Sequence, residues 1–184
     1  VNKTVAYFCS AKQDAPDRAP KFLWNAKMRF GKTFTAYKLA QKMGWKRILV
    51  LTFKPAVQSA WQEDLQTHVD FKDWQFVSHH GGMSFAEADK SRPIVWFDSF
   101  QDLLGKSPIG GIKIKNEDVH TTNWDCVILD EYHFGAWRDN AKELFDHEEM
   151  DEDEYEEIKK SALDYYKEDL MPITTGAYLY LSGT

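Results

Sequence analysis

The sequence predicts an α/β fold, a mostly parallel β-sheet covered by helices on both faces. Short apolar runs rich in β-branched and aromatic residues alternate along the chain with segments of helical spacing, and this alternation is typical of parallel sheets. The predicted strands are residues 4–8, 22–24, 48–52, 75–78, 94–97, 126–129 and 177–181. The predicted helices are residues 33–42, 56–68 and 136–145. Ligands of such sheets bind where the strands end, so we expect the functional residues to follow the strands.

The composition favours one folded domain in the cytoplasm. The 184 residues are 43% hydrophobic, enough for one core, and no apolar run is long enough to span a membrane. Cys9 and Cys126 are too few for a disulfide framework, so we expect a reducing compartment. The net charge of −6 depends on residues 146–157, in which nine of twelve residues are acidic. Outside this block basic residues outnumber acidic ones, which is compatible with a local groove for a nucleic-acid backbone.

A candidate phosphate loop lies at residues 26–33, AKMRFGKT, between a predicted strand and a predicted helix. It matches the pattern G-x-x-x-x-G-K-[ST] except for Ala26 at the first glycine. A glycine lets such a loop turn, the helix N-terminus attracts phosphate, and the lysine and hydroxyl reach phosphate oxygens and Mg²⁺. The residues predicted to bind the nucleotide are Met28, Arg29, Phe30, Gly31, Lys32, Thr33 and Phe34. The alternative is a chance Gly-Lys-Thr at an ordinary helix start, with a solvated Lys32.

A second motif places two carboxylates, Asp130 and Glu131, directly after the apolar residues 126–129. In nucleotide hydrolases the first carboxylate of such a pair orients hydrated Mg²⁺, and the second polarises the attacking water. We therefore expect Thr33 and Asp130 to hold Mg²⁺, and Lys32, Asp130 and Glu131 to be catalytic. Taken alone, the pair is also compatible with a solvated strand end. Together with the phosphate loop it predicts an ATP or GTP site.

The order of these motifs resembles that of superfamily-two helicases and translocases of the DExH-box kind. Residues 130–133, DEYH, look like motif II, and residues 179–184, LYLSGT, look like motif III. The resemblance implies a RecA-like P-loop NTPase fold, with ATP and Mg²⁺ as ligands. It also implies that His133, Ser182 and Thr184 couple hydrolysis to nucleic-acid binding.

Two further stretches resemble motifs that lie along a nucleic-acid backbone. They are residues 48–65, similar to motif Ia, and residues 95–103, similar to motif Ib. The contacts that the resemblance implies are Lys54, Pro55, Ser99 and Gln101. For Ser99 and Gln101 the alternative is a helix N-cap and its exposed first turn. For Trp61 and Trp96 we favour core packing over base stacking.

Within this superfamily, MRFGKT and LSGT resemble the motor subunits of type I and type III restriction enzymes. That resemblance implies ATP-driven translocation along double-stranded DNA, with methylation or specificity subunits as partners. It implies further that residues 1–184 are the N-terminal RecA-like domain of a longer protein. A second RecA-like domain would then complete the ATP site, so the domain alone is expected to hydrolyse ATP poorly.

Some features depart from the family pattern. Ala26 replaces a glycine, and Gln13 is the candidate for an adenine-reading glutamine, at an unfavourable distance from the loop. An acidic helical insertion at about residues 146–170 lengthens the spacing between motifs II and III, and a solvated helix face is its simplest interpretation. The alternative functions are a P-loop ATPase that acts on proteins, an RNA helicase, and a nucleotide-binding module without catalysis.

Overall fold

The computed structural model describes residues 1–27, 30–104, 114–131 and 173–183. In these ranges six strands form one sheet, and every neighbouring pair in it is parallel. Numbered along the chain and given in spatial order, the strands are β1 (Lys21–Asn25), β8 (Tyr178–Ser182), β6 (Cys126–Asp130), β2 (Arg47–Thr52), β4 (Ile94–Ser99) and β3 (Gln75–Val77). A separate two-stranded sheet pairs β5 (Asn123–Trp124) with β7 (Thr174–Thr175).

Helices lie in the connections from β1 to β2, from β2 to β3 and from β4 to β5, as crossovers between parallel strands often do. The α-helices of the described ranges are α1 (Asn2–Asp14), α2 (Lys32–Met43), α3 (Gln58–Thr67), α4 (Phe100–Leu104) and α5 (Glu117–Thr121). Short 3₁₀ turns are at Pro55–Val57, Val69–Phe71 and Ile114–Asn116. In this part of the chain, no helix is both long enough and apolar enough to cross a membrane.

Apolar side chains of the central strands alternate between two packed layers. In β2, Ile48 and Val50 pack on one face with side chains of α1, α2 and α3. Leu49 and Leu51 pack on the opposite face, to which α4 and α5 contribute. Burial on both faces explains why the central strands are continuous apolar runs in the sequence. The predicted fold class, a mostly parallel sheet with helices on both faces, is confirmed.

The prediction of a strand at residues 4–8 is wrong, because these residues lie inside α1. Thr4 and Phe8 are four residues apart and are the buried positions of this helix, while Tyr7 between them is 42% exposed. Thr4 also accepts a hydrogen bond from the Trp24 indole, at 2.9 Å between Oγ1 and Nε1. A short apolar run fits a helix turn as well as a strand, so the pattern alone did not separate the two.

The other predicted strands are present, with ends shifted by at most two residues. The predicted helices at 33–42 and 56–68 correspond to α2 and to α3 with its preceding 3₁₀ turn. The predicted helix at 136–145 and the acidic insertion at about 146–170 lie outside the described residues.

The carboxyl ends of the parallel strands meet at one edge of the sheet. In the strand register Thr52 is opposite Asp130, and Asn25 is opposite Ser182. The candidate phosphate loop, which follows β1, therefore emerges beside the end of β8 and near the end of β6. This edge is where ligands of open α/β sheets bind.

Candidate nucleotide-binding site

Gly31 joins the candidate phosphate loop to α2 through a left-handed backbone conformation, with φ 75° and ψ 38°. A Cβ at this position would meet no atom within 4 Å, so the backbone angle rather than space favours glycine. The Gly31 carbonyl accepts bonds from the Thr35 amide at 2.9 Å and the Thr35 hydroxyl at 2.7 Å. The first amide groups of α2 have no partner inside the helix and form its positive end.

Lys32 lies between the loop and the acidic pair, although it is 99 residues from Glu131 in sequence. Its Nζ is 3.2 Å from Glu131 Oε1 and 4.0 Å from Asp130 Oδ1. The Lys32 side chain is only 12% exposed. The structure thus brings the two predicted motifs together in one site, and it does not support the alternative of a solvated surface lysine.

Asp130 ends β6 and is almost completely buried, at 5% exposure. Its Oδ1 accepts a bond from the Glu131 amide at 2.9 Å, and its Oδ2 accepts one from the Trp61 indole at 2.8 Å. Burial raises the pKa of the Asp130 carboxyl, while these two bonds and the Lys32 charge act in the opposite direction. The carboxylate is therefore held in a fixed orientation at the end of the strand.

Glu131 has φ 55°, the one positive φ of a non-glycine residue in the described part of the chain. Such a conformation costs roughly 1–3 kcal/mol and occurs often at functional sites. It leaves the carboxylate facing Lys32 on one side and Lys54 on the other, with 4.0 Å between Lys54 Nζ and Glu131 Oε2. The alternative of a solvated strand end does not account for this placement.

The end of β8 completes the site. The Ala26 amide donates to the Ser182 carbonyl at 3.1 Å, so the start of the phosphate loop is attached to this strand. A Cβ on Gly183 would lie 3.2 Å from Lys32 Nζ and 3.7 Å from Glu131 Oε2. The sequence predicted a role for Ser182 but not for Gly183. The feature that could have identified Gly183 is its position between the two hydroxyl residues of the SGT stretch.

The donors at this edge fit a nucleoside triphosphate with Mg²⁺. Mg²⁺ in phosphate sites is usually held by one or two carboxylates, waters and phosphate oxygens. Asp130 supplies a buried carboxylate, and Thr33 supplies a hydroxyl in the first turn of α2. Lys32 and the N-terminus of α2 supply positive charge for phosphate.

The other residues predicted for the loop differ in their surroundings. Phe30 is 71% exposed beside Gly31. The Phe34 ring packs against His68 and Phe71, with its centroid 4.7 Å and 5.8 Å from theirs, respectively. Its side chain therefore packs α2 against the segment that follows α3. Predicted residues that lie outside the described ranges are Met28, Arg29, His133 and Thr184.

The residues predicted to contact nucleic acid fall into two groups. Lys54 and Pro55 are exposed at the end of β2, next to the site. Ser99 is buried, and its hydroxyl accepts a bond from the Asp102 amide at 3.1 Å and donates to the Asp102 carboxylate at 3.0 Å. This geometry is that of a helix N-cap, the alternative interpretation of Ser99. The side chain of Gln101 is outside the described part of the structure.

Both tryptophans for which core packing was favoured are buried, Trp61 at 0% and Trp96 at 2% exposure. Core packing is confirmed for both. The bond from Trp61 to Asp130 was not predicted, since nothing local in the sequence indicates a partner 69 residues away.

Comparison with solved structures supports a RecA-like α/β fold. A solved structure described as "Sulfolobus solfataricus SWI2/SNF2 ATPase core in complex with dsDNA" superposes with a TM-score of 0.54 at 15% identity. The match covers 99% of this chain and 31% of that one. At this level of identity the likeness is one of fold.

One curated relative has a restriction-system name. It is the Mycoplasma pneumoniae (strain ATCC 29342 / M129 / Subtype 1) protein "Putative type II restriction enzyme and methyltransferase RM.MpnORF110P C-terminus", 38% identical over 123 residues. The alignment covers 63% of this chain and 17% of that protein, so the chain spans less than a fifth of the relative. No family model matches the chain.

Proposed function

We propose that this chain is the ATP-binding motor domain of a DNA-dependent ATPase, a helicase-like translocase of a restriction system. The observation that carries the proposal is the contact of 3.2 Å between Lys32 Nζ and Glu131 Oε1. It joins a phosphate loop to an acidic pair at the ligand-binding edge of a RecA-like sheet. A contact at this edge is not expected between two residues that are 99 positions apart in sequence and share no role.

In the proposed site, residues 26–33 bind the triphosphate of ATP. The amide groups at the start of α2 donate to phosphate oxygens, and Lys32 neutralises the charge of the β- and γ-phosphates. Gly31 allows the backbone to approach the phosphates because its left-handed angle is available to glycine without strain. Thr33 and Asp130 would hold Mg²⁺, which would neutralise charge on the phosphate oxygens.

Glu131 is proposed to orient and polarise the attacking water. Its strained backbone and its flanking lysines, Lys32 and Lys54, fix the carboxylate at the edge of the site. A carboxylate that is already in place does not have to reorganise when it accepts a proton from the water that attacks the γ-phosphate. Lys32 thus faces both the phosphates and the carboxylate that activates the water.

The end of β8 is proposed to couple this chemistry to DNA. The Ser182 carbonyl bonds the amide of Ala26 at the start of the loop, and Gly183 lies where an added Cβ would approach Lys32 and Glu131, so a change at the phosphates would reach this strand end. His133 and Thr184 are assigned the same coupling role by the resemblance to DExH-box motors. Lys54 and Pro55, exposed beside Glu131, are proposed contacts to the DNA backbone, with Ser99 and Gln101 as further predicted contacts.

Double-stranded DNA is the proposed substrate. Two comparisons support it: the fold neighbour is described as a complex with dsDNA, and the curated relative is named as a restriction enzyme and methyltransferase. A second RecA-like domain and methylation or specificity subunits are the proposed partners. The narrower assignment to type I or type III systems stays a prediction, since the relative is named as type II.

The test is the ATPase rate of the full-length polypeptide that carries this domain, measured with duplex DNA, single-stranded DNA, RNA and no nucleic acid. We expect duplex DNA to stimulate the rate most strongly. Preference for RNA would move the assignment to an RNA helicase, and stimulation by none of the three would remove the nucleic-acid motor from the proposal. In that case an ATPase that acts on proteins would be the better assignment.

A further inference from the structure

Trp61 reaches the acidic end of β6 from a different element. It lies in α3, is fully buried, and donates its indole N–H to Asp130 Oδ2 over 2.8 Å. The other oxygen of the same carboxylate, Oδ1, accepts from the Glu131 amide and is the oxygen 4.0 Å from Lys32 Nζ. Trp61 therefore binds Oδ2, the oxygen on the side of α3, while Oδ1 lies on the side of Lys32.

Trp61 is itself held by α2, the helix that the phosphate loop opens. Tyr37 donates its hydroxyl to the Trp61 carbonyl over 2.7 Å. The two rings meet edge to face, with centroids 5.3 Å apart and planes at 88°. Tyr37 is also fully buried, so both side chains are fixed by packing. A continuous chain of contacts thus joins α2 to Asp130 through Tyr37 and Trp61.

From this geometry we infer that Trp61 is a positioning residue for Asp130, which it orients for Mg²⁺. The inference rests on the proposed function, because it assigns Asp130 to the metal. The bond from Trp61 to Oδ2 restrains rotation of this buried carboxylate about its Cβ–Cγ bond and, together with the bond from the Glu131 amide, presents Oδ1 in one orientation. Outer partners of metal ligands act in this way, and their loss typically weakens metal binding about 10- to 100-fold. Trp61 does not itself contact the nucleotide or the metal in this assignment.

The test compares Trp61→Phe with Trp96→Phe. Trp96 is a matched control because it is equally large, is 2% exposed, and has an indole nitrogen without a hydrogen-bond partner among the described residues. It packs in the layer on the opposite face of the sheet from Trp61. Both substitutions remove the same atoms from a buried position, but only the first removes a bond to Asp130.

The measurement is the affinity of the chain for a fluorescent ATP analogue, titrated with Mg²⁺ and repeated in EDTA. We expect Trp61→Phe to raise the Mg²⁺ concentration at half-maximal enhancement of binding about tenfold, with unchanged affinity in EDTA. Trp96→Phe is expected to leave both values at the wild-type level. Circular dichroism and thermal denaturation establish that each variant is folded.

A wild-type Mg²⁺ midpoint in Trp61→Phe, or an equal shift in Trp96→Phe, would overturn the positioning role and leave the proposed function intact. Absence of Mg²⁺-dependent nucleotide binding in the wild type would overturn both. If Trp61→Phe does not fold, Tyr37→Phe decides, since it removes only the hydroxyl that anchors the Trp61 backbone. That variant is expected to shift the midpoint about two- to threefold, and no shift would contradict the inference.

Discussion

The two ends of α2 offer a controlled test of the phosphate loop, because a glycine with nearly the same backbone angle lies at each end. Gly31 has φ 75° and Gly44 has φ 69°, and a Cβ on either would meet no atom within 4 Å. Alanine at either position therefore introduces strain without a clash. A left-handed alanine costs about 1–2 kcal/mol, and the lower entropy of the unfolded chain offsets about 0.4–1 kcal/mol of this.

The expected net loss of stability is about 0.5–1 kcal/mol for Gly44→Ala, and no more than this for Gly31→Ala. For a chain of this size this corresponds to a decrease in Tm of about 1–4 °C. The effect on nucleotide binding should differ, because only Gly31 shapes the loop. If the loop of free Gly31→Ala relaxes to an unstrained angle and nucleotide binding must restore the left-handed one, the cost of about 1–2 kcal/mol falls on binding and lowers the affinity about 5- to 30-fold.

The assay combines thermal denaturation of the chain with binding of a fluorescent ATP analogue. Gly44→Ala is the control for general destabilisation, since its glycine caps the far end of the helix, where the Trp45 amide bonds the Ala40 carbonyl at 3.0 Å. We expect a Tm decrease in Gly31→Ala no larger than that in Gly44→Ala, and a loss of affinity only in Gly31→Ala. Equal affinities in the two variants would refute the reasoning, because the loop glycine would then have no role in binding.

Three further changes test other parts of the site and of the fold. Gly183→Ala should weaken nucleotide binding and change Tm little, because its Cβ would lie 3.2 Å from the Lys32 ammonium, which can shift at the end of a flexible side chain. A lower Tm with wild-type affinity would contradict this. In the full-length protein Glu131→Gln should lower ATP turnover about 10²- to 10⁴-fold while ATP still binds, and normal turnover would remove Glu131 from its assigned role. Partial burial alone would raise the pKa of Asp102, but bonds from His80, Ser99 and Lys115 outweigh it and lower the pKa to about 2. A carboxyl whose pKa is lower in the folded chain than the unfolded value of about 3.9 stabilises the fold above that value. The free energy of unfolding of the wild type, measured by urea denaturation, should therefore exceed that of Asp102→Asn by less and less as pH falls from about 4 to 2. A difference that does not change with pH would argue against this linkage.

The meeting of Lys32 with Asp130 and Glu131 could be predicted from the sequence, because the carboxyl ends of parallel strands share an edge. The strand-like interpretation of residues 4–8 failed because Thr4 and Phe8 lie on one face of a helix that packs beside β1. Their short apolar run carries no information about which neighbour will cover it. The local pattern therefore identifies a helix or a strand where the periodic segment is long, and leaves the two unresolved where the segment is short.

Contacts that depend on how α3 packs were beyond sequence reasoning. The bond from Trp61 to Asp130 joins residues 69 positions apart, and the approach of Gly183 to Lys32 depends on the register of β8 beside β1. The sequence did not distinguish between a contact of Ser99 to a nucleic-acid backbone and a helix N-cap, since both use a hydroxyl at the start of a helix. Its burial and its bonds to Asp102 became evident only in the folded chain.

The central claim is that residues 26–33 and the acidic pair form one Mg²⁺–nucleotide site around Lys32. The most direct measurement is the equilibrium affinity of ATP with Mg²⁺ for the wild type, Lys32→Ala and Lys42→Ala. Lys42 is the control because it lies in the last turn of α2 and bonds Asn2, away from the site. We predict that Lys32→Ala weakens binding at least about tenfold, a loss of about 1.4 kcal/mol, while Lys42→Ala binds as the wild type does. Equal affinity of Lys32→Ala and the wild type would contradict the claim.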